Sequence, residues 1–318
     1  MVNAVKKLTL LRCVWMKVAN DVTDLIGGTP LLRLHKLSGP GSANVLVKLE
    51  WFSIGGSVKD RMAKYLIEYA EAAGKLDKEK TILEATSGNT GIALSMIAAA
   101  KGYKITITMP ESVSIERRKL IKAYGAELIL SPGAKGTGGA VELKQKLLEE
   151  NPGKYIDIDQ FKDPANILAH YQTTGREIIE QTDGKVDAVV VGVGTAGTGV
   201  GISLRLKQYN EGIKIIGVIP ELGFAIQGLR NPDEPYPTQL YDPERFDEII
   251  ELPRDKNPVI FETARRAASE EGLLVGISAA AILYVALQKA RELGKGKTLV
   301  AVLPDSGSKY LSTPLYGG

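Results

Sequence analysis

The sequence predicts an α/β protein of two lobes, each a mainly parallel, twisted sheet flanked by helices. Three observations carry this. Short β-branched runs recur along the middle and end of the chain. Stretches with helical periodicity separate them. There are also too many such units for one small sheet, and 318 residues suffice for two cores. Continuous apolar strands alternating with helices are the pattern of parallel sheets covered on both faces.

The strand-like runs are "KTILEAT" (80–86), "KITITMP" (104–110), "AELILS" (126–131), "DAVVVGVG" (187–194), "KIIGVIP" (214–220) and "TLVAVLP" (298–304). Helical periodicity marks 138–150, 164–182 and 258–272. No internal repeat or low-complexity segment interrupts the series. The longest piece without periodicity is 222–247, rich in Pro, Asp and Tyr, and long irregular loops in compact domains are more often functional than not.

The composition, 44% hydrophobic and 24% charged, is that of a globular protein. A formal charge of +3, with no block of like charges, gives no basis for a nucleic-acid or membrane-surface partner. The single cysteine, Cys13, excludes an internal disulfide and fits a reducing cytoplasmic compartment. With only His35 and His170 beside it, a Cys/His zinc site is not expected. No stretch approaches the roughly twenty apolar residues of a membrane span. The opening "MVNAVKKLTLLRCVW" reads as an extension that adds nothing to the chemistry.

Three glycine-containing turns from strand or loop into helix are candidate ligand loops. "GVGTAGTGVG" (192–201) follows an apolar strand. Its backbone N–H groups can converge on an anion at the positive end of a helix, with Thr195 and Thr198 adding hydroxyls. Gly192, Gly194 and Gly197 also satisfy G-x-G-x-x-G, and Glu221 ends the next strand, so a dinucleotide site with Glu221 on a ribose is a rival. "ATSGNTG" (85–91) offers Thr86, Ser87, Asn89 and Thr90 at a helix start. One would serve as an N-cap, and capping alone is the alternative; four suit a carboxylate. "GGSVKDR" (55–61) places Lys59 in a first helical turn behind Gly55 and Gly56, which let the backbone approach a flat ligand. The macrodipole there should lower its pKa, suiting an amine that must be neutral to attack a carbonyl. The alternative is a solvated lysine paired with Asp60 or Glu50. "GKGKT" (294–298) lacks the first glycine of a P-loop and reads as a helix C-cap. His170 reads as a packed or surface residue rather than a base.

In order, "IGGTPLLRL", "GGSVKDR", "ATSGNTGIAL", "MPESVSIERRKLIKAYGAELIL", "GVGTAGTG", "EEGLLVGIS" and "LPDSGSKYLST" resemble the cysteine synthase family of pyridoxal-phosphate (PLP) enzymes, of the tryptophan-synthase β fold type. The resemblance runs from about residue 22 to the C-terminus. It implies a fold type II PLP enzyme with the cofactor in the cleft between the lobes. The larger lobe would be residues 1–50 plus 159–318, and the smaller, mobile one 51–158. It implies that Lys59 carries PLP as a Schiff base and serves as the base, and that Asn89 bonds the ring hydroxyl. Gly194, Thr195, Ala196, Gly197 and Thr198 would hold the phosphate, and Ser306 would face the pyridine nitrogen. Thr86, Ser87, Thr90 and Gln160 would bind the substrate carboxylate. The implied reaction is β-replacement of O-phosphoserine or O-acetylserine, with sulfide or a protein-bound sulfur as nucleophile. A cystathionine β-synthase-like or dehydratase-like lyase stands as an alternative. A homodimer is implied as well.

Three departures from the family pattern stand out. Ser53-Ile54 replaces Asn-Pro, Ala196 replaces a glycine, and "GISAAA" (276–281) replaces Gly-Ile-Ser-Ser-Gly. The added methyl at Ala196 is tolerable where φ is negative. The "LRN-x-DE…LYDPE" pattern in 222–247 resembles the phosphoserine-using branch, in which the arginine, here Arg230, meets the substrate phosphate; the alternative is an Arg230 paired with Asp233 or Glu234 on a solvated loop.

Overall fold

The computed structural model describes residues 18–317 apart from Ser87; the extension read at the N-terminus lies outside the described residues. The first half runs β1 (Leu31–Arg33), β2 (Asn44–Leu49), α1 (Lys59–Ala72), β3 (Thr81–Ala85), α2 (Asn89–Lys101), β4 (Lys104–Pro110), α3 (Ile115–Ala123), β5 (Glu127–Ser131), α4 (Gly136–Glu150) and β6 (Tyr155–Asp157). The second runs α5 (Ala165–Ala169), α6 (Gly175–Gln181), β7 (Ala188–Gly192), α7 (Gly197–Tyr209), β8 (Lys214–Pro220), β9 (Glu248–Leu252), α8 (Asn257–Glu271), α9 (Ile277–Leu293) and β10 (Thr298–Leu303). A π-helical turn, His170–Thr174, joins α5 to α6.

Two sheets result, a six-stranded one in the order β1-β2-β10-β7-β8-β9 and a four-stranded one in the order β5-β4-β3-β6. The smaller is parallel throughout. The larger is parallel except for β1, a three-residue edge strand antiparallel to β2. β7 pairs with β10 on one side and β8 on the other, and Ala188–Val191 are buried. A strand covered on both faces needs no polar alternate positions, which is why it reads as an unbroken apolar run. The same logic holds for α2, whose residues Thr90–Ala98 are all buried. It lies against α1 and α3 as well as β4.

Both sheets present their carboxyl ends to a common cleft, because every βα turn in a parallel sheet leaves on the same side. A buried ion network ties the start of α1 to the larger sheet beneath this cleft. Arg61 donates from Nε to Glu50 at 2.7 Å and from Nη1 to Glu177 at 2.6 Å; Lys48 donates to the other Glu177 oxygen at 2.6 Å. Segment 222–247 carries one short 3₁₀ turn, Pro243–Arg245, and lays Ala225–Arg230 along the cleft.

Candidate active site

The cleft has a volume of about 610 Å³, and its walls include Lys59, Thr86, Asn89, Thr90, Gln160, Gly194, Thr195 and Arg230. Residues from three separate loops therefore meet in one place.

Lys59 is the first residue of α1. It is half-buried, with its surface open to the cleft, and its ammonium has no hydrogen-bond or ion-pair partner among the described residues. Surrounding protein strips its water and brings its pKa down to about 8. The direction is the one expected, and burial is the cause. Neither anticipated counter-ion is available. Glu50 is taken by Arg61, and Asp60 accepts from the Gly55 N–H at 2.8 Å. The two glycines ahead of Lys59 serve protein rather than ligand. A Cβ on Gly55 would lie 2.5 Å from Asp60 Oδ1, and Gly56, at φ +78°, faces Lys309.

The turn from β3 into α2 presents Thr86, Asn89 and Thr90; Ser87 lies outside the described residues. Thr90 donates its hydroxyl proton to Gln160 Oε1 at 2.7 Å, and Gln160 Nε2 donates to Glu84 Oε1 at 2.9 Å. Burial pushes Glu84 up to about 8. Thr86 Oγ1 accepts from the Gly88 N–H at 3.1 Å, which leaves its own proton uncommitted. Asn89 donates to Asp305 at 2.8 Å and accepts from Lys309 at 3.0 Å.

Across the cleft, the turn between β7 and α7 is packed so closely that no side chain fits at Gly194 or Gly197. A Cβ on Gly194 would sit 2.6 Å from the Gly228 carbonyl oxygen, and one on Gly197 would sit 2.1 Å from Asn166 Oδ1. Thr195 Oγ1 accepts from Asn166 Nδ2 at 3.0 Å and so keeps its proton for a ligand. Thr198 Oγ1 lies 3.1 Å from Nε2 of His170. His170 is fully buried and held neutral by that burial, its Nδ1 facing the Thr174 hydroxyl at 2.8 Å. It is thus a packed residue, as expected, but one that backs the anion loop. Ala196 adopts φ +68°. The condition on which its methyl was expected to be tolerated, a negative φ, is not met.

Two other expected residues do not line the cleft. Ser306 accepts from the Ser308 N–H at 3.3 Å, capping a 3₁₀ turn, and is not among the residues that line the cleft. Glu221, the rival ribose ligand, accepts from the Arg254 N–H at 2.9 Å and does not line the cleft either. Arg230 does line it, but its Nε donates to Glu234 at 3.2 Å and its Nη2 to the Pro235 carbonyl at 2.8 Å. Sequence reasoning missed Arg117, which is buried on α3 and reaches Gln227 at 2.9 Å and the Tyr310 hydroxyl at 2.6 Å. A motif-internal arginine gives no sign in sequence of crossing a cleft.

A helix-start amine without a counter-ion, facing a glycine cradle whose bare N–H groups and free threonine proton suit a phosphate, fits an aldehyde-bearing phosphate cofactor. The pyridoxal-phosphate dependent enzyme model matches residues 22–305. A cysteine synthase of Staphylococcus aureus (strain Mu50 / ATCC 700699) is 46% identical over 312 residues, covering 94% of this chain and 98% of that protein. This chain belongs to the PLP-dependent cysteine synthase family. It is an enzyme, and PLP is its cofactor. The family fold is also shared by solved structures. A cysteine synthase of Entamoeba histolytica superposes with a TM-score of 0.88 at 40% identity, covering 95% of this chain and 92% of that one. An O-ureido-L-serine synthase gives 0.88 at 38%, covering 95% and 96%. A hydrogen sulfide-producing enzyme of Fusobacterium nucleatum gives 0.86 at 39%, covering 92% and 100%. Among the described residues of this family member, no helix is long and apolar enough to cross a membrane.

Proposed function

We propose that this enzyme makes L-cysteine by β-replacement, exchanging the activated β-oxygen substituent of an O-acylated or O-phosphorylated L-serine for sulfide. The observation that carries the reading is Lys59, an amine with no counter-ion and a pKa of about 8, opening onto a cleft with an anion cradle opposite. Pyridoxal phosphate, when bound, supplies an electron-withdrawing ring that stabilises charge developing at the substrate α-carbon.

The residues divide the remaining work. Backbone N–H groups of Gly194–Thr198 and the Thr195 and Thr198 hydroxyls hold the phosphate. Asn89 has one N–H left for the ring hydroxyl after its bond to Asp305. Thr86 and the helix start of α2 take the substrate carboxylate, with Thr90 placed by Gln160. Lys59 Nζ removes the α-proton, and the leaving group departs from the β-carbon with its bonding pair. Sulfide then adds at the β-carbon, and Lys59 returns the proton to the α-carbon. Ser306 only accepts in its cap, so its hydroxyl proton remains for the pyridine nitrogen.

The small lobe, residues 51–158, closes on the larger when the carboxylate binds, excluding water from the reacting carbons. Arg117, reaching from α3 to Gln227 and Tyr310, links the two lobes. Superimposable structures with and without a bound amino acid would count against it. A homodimer in solution is expected, and molar mass by light scattering checks it.

O-phosphoserine is the donor this reading favours. Arg230 lines the cleft and its Nη1 is uncommitted, and a guanidinium edge suits a phosphate dianion. The contact to Glu234 favours O-acetylserine instead, because it already neutralises the arginine. Two experiments decide. The purified wild type is yellow and Lys59→Ala is colourless and inactive; a colourless wild type that binds a nicotinamide dinucleotide overturns the reading. With sulfide present, Arg230→Ala loses on the order of 2–3 kcal/mol in kcat/KM for phosphoserine, as for a charge-assisted bond, and little for acetylserine. Equal losses leave a cysteine synthase without the phosphoserine assignment.

A further inference from the structure

Asn89 is gripped from two sides by a segment that follows β10. Its Nδ2 donates to Asp305 Oδ2 at 2.8 Å, and its Oδ1 accepts from Lys309 Nζ at 3.0 Å. An ammonium only donates and a carboxylate only accepts, so the carboxamide has one permitted orientation. Lys309 also donates to the Gly56 carbonyl at 2.9 Å, three residues before Lys59. Asp305 is fully buried and pairs backbone to backbone with Ser57 in a single bridge. Its Oδ2 also accepts from the Tyr310 hydroxyl at 2.8 Å. One short segment of the large lobe therefore holds both small-lobe loops, the one bearing Lys59 and the one bearing Asn89. Lys309 is itself 9% exposed. A buried cation is costly and is retained where its charge is used.

We propose that Lys309 is a positioning residue for the cofactor. With Asp305 it locks the Asn89 carboxamide so that its uncommitted N–H is offered to the cofactor's ring oxygen, and its own buried charge favours the anionic form of that oxygen. The inference rests on the placement of pyridoxal phosphate in this cleft proposed above. Around Lys309 stand Asp60 on α1, Arg117 on α3, and Asp305 and Tyr310 on its own segment. Asp60, raised by burial to about 6, is ionised at neutral pH and above, so Lys309 is the group whose removal changes the local charge in that range.

The test uses the PLP-loaded wild type, Lys309→Met and Lys309→Arg, each checked for folding by far-UV circular dichroism. Two quantities are read: the pH at which the bound cofactor's visible band changes, and the cofactor's dissociation constant. A nearby cation opposes protonation, so its loss raises the transition. We expect Lys309→Met to stay coloured, with the transition raised by about one pH unit and PLP binding weakened about tenfold; Lys309→Arg should lie near wild type in both. Wild-type values for Lys309→Met overturn the proposal, and so does an equal change in Lys309→Arg, because that marks packing rather than charge. Where Lys309→Met fails to fold or to load, Lys309→Gln keeps a donor toward Asn89 Oδ1 without the charge. A raised transition in that variant supports the proposal and an unmoved one overturns it. A colourless wild type would instead bring down the placement of the cofactor itself.

Discussion

Thr90 gives its only hydroxyl proton to the Gln160 amide oxygen at 2.7 Å, across the rim of the cleft. Gln160 in turn donates to Glu84 and to the Ala85 carbonyl. The turn between β3 and α2 is thus aimed by a residue seventy positions away in the chain. Gln160→Ala should raise the amino-acid donor's KM about tenfold, the loss of roughly one buried hydrogen bond. Cofactor content, read from absorbance, should not change. A fall in cofactor content with unchanged KM would place Gln160 at the cofactor rather than at the substrate.

Lys59 sets a pH dependence for loading the cofactor. An ordinary lysine is neutral only near pH 10.5, whereas this one titrates at about 8. The neutral amine is the form that reacts with an aldehyde, so the reconstitution rate of the apoenzyme should climb through pH 8 and level off above it. Stopped-flow mixing with pyridoxal phosphate checks this. A rate still rising steeply between pH 9 and about 10.5 would mean an unperturbed lysine.

The Arg61 network predicts sensitivity to acid. Paired with Arg61 and Lys48, Glu177 has a pKa of about 2, below its usual 4.5. Its folded value is depressed, so the stabilisation is complete above 4.5 and fades as pH falls from 4.5 toward 2. Urea midpoints at stepped pH should show the loss, and Glu177→Gln should flatten that part of the curve. Arg61→Ala, which strands the buried Glu50 carboxylate and leaves Glu177 with Lys48 alone, should cost about 3–5 kcal/mol.

Ala196 sits at φ +68° and is 2% exposed. Its left-handed backbone costs about 1–2 kcal/mol relative to glycine. Burial of the methyl (about 0.8 kcal/mol) and the lower unfolded-state entropy of alanine (about 0.4–1 kcal/mol) offset most of that. Ala196→Gly should therefore shift stability by less than about 1 kcal/mol, while Ala196→Val, branched at the same φ, should lose more than 2 kcal/mol. Chemical denaturation of the three proteins separates these outcomes.

The α/β class, six of the strands and the three loops that meet at the cleft were all legible in the amino-acid order. Buried parallel strands such as Ala188–Gly192 are uniformly apolar, and strand-to-helix turns that receive anions need glycine and hydroxyl residues in sequence. β1, β2, β6 and β9 did not stand out. β1 and β6 have three residues each, β2 buries Lys48, and β9 exposes Glu248 and Glu251 at the sheet edge. Local pattern does not mark a strand whose burial is decided by its neighbours. Long-range electrostatics were equally invisible. That Glu50 would take Arg61 and leave Lys59 without a counter-ion depends on which side of α1 meets β2, and that Arg117 and Lys309 would cross to the opposite lobe depends on how the lobes dock. The left-handed Ala196 stands between Gly194, which closely approaches Gly228, and Gly197, which closely approaches Asn166. Sequence by itself determined the fold class and the chemical groups present, because those follow from short-range composition and period. Only the tertiary structure decided which charges are paired, which protons are free and which segment holds Asn89, because each is a contact between residues distant in the chain.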